Sequence, residues 1–166
     1  MKRLFIVLTI SLLLISACGI GVSKYEDAVL DGVSSLNTGR PESALKEFNR
    51  AIDMDPKRAD GYLGRANTLN TMGHFEKALL DYSIAIEIEP TIANAYVNRA
   101  IAYSQLGQYE KAIADYEKGL ELDPKIDNAP SFFQRLFDDK TPNEEKGIRE
   151  HLEYLKEQMQ QKDQKS

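Results

Sequence analysis

The sequence predicts an all-α solenoid: three helix–turn–helix units stacked into a superhelix and closed at the C-terminal end by capping helices. Residues 59–92 lie over residues 93–126 without a gap, a period of 34 residues. Thirteen positions are identical, among them Tyr62/Tyr96, Arg65/Arg99, Ala66/Ala100, Gly73/Gly107, Ala78/Ala112, Tyr82/Tyr116 and Pro90/Pro124. Within each unit apolar residues recur at helical spacing, stop at a glycine, recur again and stop at a proline. Shifting back one more period puts Gly32, Gly39, Ala44, Phe48, Ala51 and Pro56 on the same punctuation, so the units are 25–58, 59–92 and 93–126. A unit of this size buries its apolar face only by stacking on its neighbours.

From the N-terminus, residues 1–17 read as a cleaved secretory signal: Lys2 and Arg3 supply charge, residues 4–15 are almost wholly apolar, and Ser16 and Ala17 are small. The apolar run falls short of the about 20 residues that a transmembrane helix needs. Ile15-Ser16-Ala17-Cys18 resembles a bacterial lipobox. That resemblance implies cleavage before Cys18 and lipidation of that cysteine. With several acyl chains, at about 0.8 kcal/mol per buried methylene, the anchor would be permanent. Cys18 is the sole cysteine, which excludes an intrachain disulfide. Residues 18–24 form a short tether, and the six residues after Cys18 reach at most about 20 Å, which would hold the first unit near the bilayer. Gly19 after the cysteine, rather than Asp, implies by the same resemblance the outer membrane facing the periplasm in a two-membrane host. A single-membrane host would place the protein on the outer face of the plasma membrane.

The third unit shows the local logic. Tyr96, Ala100 and Tyr103 recur at helical spacing until Gly107, and Tyr109, Ala112, Ile113, Tyr116 and Leu120 form a second stripe that ends at Asp123-Pro124. The pairs Ala66/Ala78 and Ala100/Ala112 let two helices approach to about 8–9 Å, and the aromatic residues fill the gaps between units. These residues resemble the tetratricopeptide repeat. Its pattern is met by Tyr96, Ala100, Tyr103, Ala112, Tyr116 and Pro124, with Gly119 where alanine is usual. The first unit departs most, with Ala28 and Ser35 in the two aromatic places, and is expected to have the loosest outer packing. The second has Leu69 in the second aromatic place.

Residues 127–159 read as degenerate capping helices. Asp127 or Asn128 serves as a cap before Pro130, and Phe132, Phe133, Leu136 and Phe137 cluster on a short span. That cluster either covers the open end of the third unit or forms a patch for a partner or for another copy of the chain. Thr141-Pro142-Asn143-Glu144 has the form of a capping box, and Ile148, Leu152, Leu155 and Met159 share a stripe on the helix that follows. Residues 160–166 are a polar, frayed tail.

The 42% apolar and 28% charged residues fit a globular helical domain. The net charge is −5, and loss of residues 1–17 with Lys2 and Arg3 leaves −7, which makes a nucleic-acid partner unexpected. Nothing converges on catalysis: His74 is a turn residue, His151 lies on a helix face beside Glu150 and Glu153, and no metal, phosphate or nucleophile motif is present. The chain is expected to be no enzyme and to need no cofactor or metal.

The resemblance implies instead a concave groove lined by the first helix of each pair. Carried over residue by residue, it names Val29, Val33 and Asn37, then Leu63, Asn67 and Asn70, then Asn94, Val97, Asn98, Ile101 and Gln105. Amides there can pair with the backbone of an extended peptide, while aliphatics receive its side chains. The family's carboxylate clamp needs lysine and arginine, but its places hold Val29, Val33, Gly64, Asn94 and Asn98, and one repeat on they hold Leu63, Asn67, Asn98, Asn128 and Phe132. A terminal carboxylate is therefore not the expected ligand. Arg65 and Arg99 are expected to pair within the molecule. The function implied is non-catalytic binding of a protein or peptide partner, as an adaptor or assembly scaffold in the bacterial cell envelope, with self-association as the alternative.

Overall fold

The computed structural model describes residues 23–128 and 147–163, and these form seven helices with no strand among the described residues. In chain order they are α1 (Lys24–Asn37), α2 (Pro41–Met54), α3 (Ala59–Thr71), α4 (Phe75–Ile88), α5 (Ala93–Gln105), α6 (Tyr109–Leu122) and α7 (Ile148–Asp163), with a 3₁₀ turn at Ile126–Asn128 before the last. Helices α1/α2, α3/α4 and α5/α6 are the three hairpins. The expected signal, Cys18, the cluster Phe132, Phe133, Leu136 and Phe137, and the capping box at Thr141 lie outside the described residues.

One turn sets the period. Gly39, Gly73 and Gly107 have φ of 70°, 78° and 69°, the left-handed region open to a residue without Cβ. Each donates to the carbonyl three residues back, and the next residue donates five back: Gly73 N to Asn70 O at 3.0 Å and His74 N to Leu69 O at 2.8 Å, for example. This double closure ends the first helix of each pair and starts the second. His74 and Gln108 occupy the same step of that turn.

Alanine at the crossing points brings the paired helices together: Ala44, Ala51, Ala66, Ala78, Ala85, Ala100 and Ala112 are fully buried. Between units one and two the filler is Phe48, also fully buried, whose ring lies against the α-carbons of Gly32 and Gly64; a Cβ on Gly32 would come within 2.8 Å of it. Unit three uses the reverse arrangement. Gly119 replaces the usual alanine because Val97 Cγ2 fills the space, 2.6 Å from where a Cβ would stand.

The first aromatic place of unit one, where the loosest packing is expected, is not left open. Ala28 is completely buried, because Tyr25 one turn earlier supplies the missing ring and clusters with Ala28 and Ala51. The Tyr25 hydroxyl donates to Asp60 Oδ1 at 3.0 Å and accepts from Gly61 N at 3.1 Å, tying α1 to α3. Arg58 stacks on its ring, 3.9 Å from the centroid. Burial, with the bond to Asp60 and its charge, pushes the Tyr25 phenol from 10.0 up to about 12. A folded-state pKa above the unfolded one contributes stability below pH 10 that is lost as pH rises toward 12. Burial likewise raises Tyr82 and Tyr116, which add to the same loss. The melting temperature should therefore fall steeply above pH 10, and less steeply in Tyr25→Phe; equal slopes in a pH series of thermal melts would refute the assignment.

Arg65 and Arg99 each make a two-pronged pair with an aspartate of their own hairpin. Arg65 Nε and Nη2 donate to Asp81 at 2.7 and 2.8 Å, and Arg99 donates to Asp115 with the same distances. Each also reaches back one unit, Arg65 to Asn49 Oδ1 at 2.7 Å and Arg99 to Ser83 Oγ at 3.1 Å. In unit one the equivalent places hold Asp31 and Glu47, and Glu47 pairs locally with Arg50.

Helix α7 closes the stack as expected from its stripe: Ile148, Leu152 and Leu155 are buried with Tyr116, Leu120 and Val97. Its start lies beside Asp127, where a fourth unit would begin. Asp127 Oδ1 accepts from Arg149 N at 2.8 Å, so Asp127 caps this helix 22 residues on. Gly147 leaves room for it, since a Cβ there would stand 2.8 Å from Asp127 Oδ1. Lys156 meets Glu117 of α6 at 3.2 Å.

Candidate peptide-binding groove

Across units α1 touches α3 and α3 touches α5 more closely than the second helices of the pairs approach each other, so the odd helices form the inner layer. The inner face changes character along its length. Over α1 it is aliphatic: Leu30 and Val33 are 59% and 43% exposed, beside half-buried Val29 and Leu36. Over α3 and α5 it turns to amides, with Asn67 half-buried between half-buried Leu63 and Thr71, and Asn94 and Gln105 exposed. Asn37 is exposed at the end of α1, and Ile101 is half-buried.

The structure brings two of the expected residues into direct contact. Asn98 Nδ2 donates to Asn67 Oδ1 at 3.0 Å, and the Tyr82 hydroxyl donates to the same oxygen at 2.8 Å. Two others are placed differently from expectation. Val97 is 1% exposed and belongs to the core beneath α6 and α7, because Gly119 admits its side chain and Ile148, Leu152 and Leu155 join the same cluster. Asn70 is likewise 1% exposed. It neighbours the Tyr82 hydroxyl closely enough to favour its ionised form, yet neither amide atom makes a hydrogen bond of normal geometry. Neither residue can line an open groove as it stands.

The sequence reading passed over two residues. Leu30 shares the i, i+3, i+7 row of Val33 and Asn37, a signal visible in the sequence. Tyr82 repeats at Tyr116 in the sequence, but its hydroxyl's role depends on Asn67, 15 residues away on the facing helix. Basic side chains are absent from the clamp places, and Arg65 and Arg99 are engaged with Asp81 and Asp115. Among the described residues no group of three or more His, Cys, Asp or Glu could hold a metal ion, and no helix is long and apolar enough to cross a membrane.

Two profiles of the tetratricopeptide repeat match, over residues 32–86 and 93–126. The chain carries tetratricopeptide repeats. Tetratricopeptide repeat protein 36 of Danio rerio is 42% identical over 52 residues, 31% of this chain and 28% of that protein's length. Among solved structures, the TPR2B domain of yeast Sti1 in complex with pHsp70 superposes with a TM-score of 0.64 at 25% identity, over 82% of this chain and 98% of that one. The Sgt2 TPR domain from Aspergillus fumigatus gives 0.67 at 17% identity, over 86% and 83%. The first TPR of Spaghetti (RPAP3), bound to the HSP90 peptide SRMEEVD, gives 0.67 at 23% identity, over 85% and 98%. The last two likenesses concern the fold alone. Tetratricopeptide repeats are a non-catalytic protein-interaction fold.

Proposed function

We propose that this protein is a lipid-anchored, non-catalytic adaptor or assembly scaffold of the bacterial cell envelope, which holds an extended segment of a partner along the inner face of α1, α3 and α5. The observation that carries the reading is the Asn67–Asn98 pair on adjacent inner helices, beside the exposed aliphatics Leu30 and Val33. Amides for the backbone and aliphatics for side chains suit an uncharged stretch of polypeptide. With no cation in the clamp places, the ligand is an internal segment rather than a chain end. A peptide ending in EEVD should bind no more tightly than its amidated form, as isothermal titration would read.

Anchoring rests on the resemblance of residues 15–18 to a lipobox. The intact protein should fractionate with membranes and incorporate a palmitate analogue, while Cys18→Ser should be unlabelled and soluble; a labelled Cys18→Ser variant would remove the anchor from the proposal. For the partner, cross-linking and affinity capture from native membranes should retain a specific envelope protein, lost in Asn67→Ala/Asn98→Ala and kept in Phe132→Ala/Phe133→Ala. Recovery of the same chain alone, abolished by the phenylalanine change, would replace the adaptor with a self-associating module.

A further inference from the structure

Tyr82 is fully buried where units two and three meet, and its hydroxyl and Asn98 Nδ2 together occupy the oxygen of Asn67. An amide carries a donor end and an acceptor end. Flipping Asn67 alone would set its NH₂ against that of Asn98, and flipping both amides together would leave the buried Tyr82 O–H without the acceptor it has in Asn67 Oδ1, so the orientation is fixed. The remaining ends, Asn67 Nδ2 and Asn98 Oδ1, make no hydrogen bond among the described residues, and neither is shut off from solvent, although Asn98 as a whole is only 7% exposed. The pair therefore offers one donor from α3 and one acceptor from α5. Their complement is the C=O and N–H of a single residue in an extended strand, which point to the same side of the chain.

Among the three units this arrangement occurs once. In unit one the places of Tyr82 and Asn67 hold Phe48, which has no hydroxyl, and Val33. In unit three Tyr116 has the hydroxyl but Ile101 stands where Asn67 would accept it. We propose that Tyr82 is a positioning residue for the ligand: by holding the Asn67 amide in one orientation it makes Asn67 and Asn98 a single-register backbone clamp, and sets the direction of the bound strand. The strand's C=O turns to Asn67 and its N–H to Asn98, so it runs N to C from unit three toward unit one. The inference rests on the groove reading above.

The test selects acetylated, amidated decapeptides on the wild-type protein, then remakes one binder with each backbone N–H in turn replaced by an ester oxygen. One ester should weaken binding about tenfold, the scale of a single lost hydrogen bond. The same ester should cost nothing further in Asn98→Ala, whose own affinity is already reduced. Tyr82→Phe, verified as folded by circular dichroism, should weaken binding about tenfold and level the position dependence of the scan, which a merely structural role would leave intact. An ester penalty undiminished in Asn98→Ala, or a Tyr82→Phe variant with unchanged affinity and scan, overturns the clamp while the groove stands. Asn98→Ala leaves Tyr82 untouched and decides the matter should Tyr82→Phe unfold. Retention of no capped peptide overturns the groove reading and the clamp with it.

Discussion

Gly64→Ala should destabilise the protein by roughly 3 kcal/mol, the upper end of what one added methyl costs in a filled core. The Phe48 ring lies so near the Gly64 α-carbon that a Cβ there would be well inside van der Waals contact with three ring atoms. The ring has nowhere to retreat, since it is fully buried and Gly32 confines it from α1. For a chain of this size the melting temperature should drop by about 6–12 °C. Unlike Gly39, Gly73 and Gly107, Gly64 is not held at positive φ, so its requirement is for space alone. Shrinking the intruder should therefore help: Phe48→Leu costs something by itself, but Gly64→Ala/Phe48→Leu should lose less than the sum of the two, by about 1 kcal/mol or more. At Gly107 nothing lies within 4 Å of a built Cβ, so the cost of Gly107→Ala comes from φ and no trimming elsewhere would relieve it. Additive losses in the Phe48 cycle would show that the ring does not set the contact.

Asp115→Ala should cost about 3 kcal/mol, and Asp81→Ala about 2. Removing one partner of a half-buried ion pair leaves the other charge without its anion in a place where water replaces it only in part. Side-chain exposure sets the order: Arg99 and Asp115 are 17% and 10% exposed, against 27% and 7% for Arg65 and Asp81, so the stranded Arg65 regains more hydration than Arg99. A guanidinium keeps its proton in a protein even without its aspartate, so the stranded arginine cannot escape by neutralising. Arg99→Leu/Asp115→Leu should recover much of the loss, because replacing both charges removes the desolvation cost along with the attraction. By contrast Glu47→Ala leaves Arg50, 43% exposed, free to hydrate and should change stability by less than about 1 kcal/mol. Urea unfolding of the four variants would check the ranking, and an Asp115→Ala loss no larger than that of Glu47→Ala would show that these arginines contribute only surface pairing.

The stack of helices was legible because its causes are local and repeated. Gly39, Gly73 and Gly107 break the helices by backbone conformation, and the alanines at 44, 66, 78, 100 and 112 mark the crossings by size; neither depends on what lies far away. Pairing of Arg65 and Arg99 with acids of the same molecule followed from charge abundance, although the partners sit 16 residues on and could be named only from the fold. Where substitution moved a function from one place to another, the one-dimensional pattern misled. Ala28 looked like a missing ring, yet Tyr25 provides it from one turn away, and Asp127 caps α7 from 22 residues back, a pairing that local spacing does not name.

The groove was legible as a set of positions and not as a set of available atoms. Position on a helix follows from a period of 3.6 residues, and the resemblance to the tetratricopeptide repeat says which face of the first helix turns inward, which is how Asn67, Asn98, Val33 and Leu63 were assigned to one inner layer. Availability depends on what neighbouring helices leave uncovered. Val97 vanished into the core because Gly119 lacks a side chain and α7 lies against the same cluster, and Asn70 vanished behind Tyr82. Hydrogen-bond direction depends on three side chains meeting from α3, α4 and α5, a convergence that sequence spacing does not encode. The chain alone set the number of units, their turns and their inner and outer faces, since these arise from backbone conformation and residue size repeated every 34 residues. Packing across units chose which amide ends still face the groove, because burial and hydrogen bonding are properties of neighbours that meet only when the helices stack.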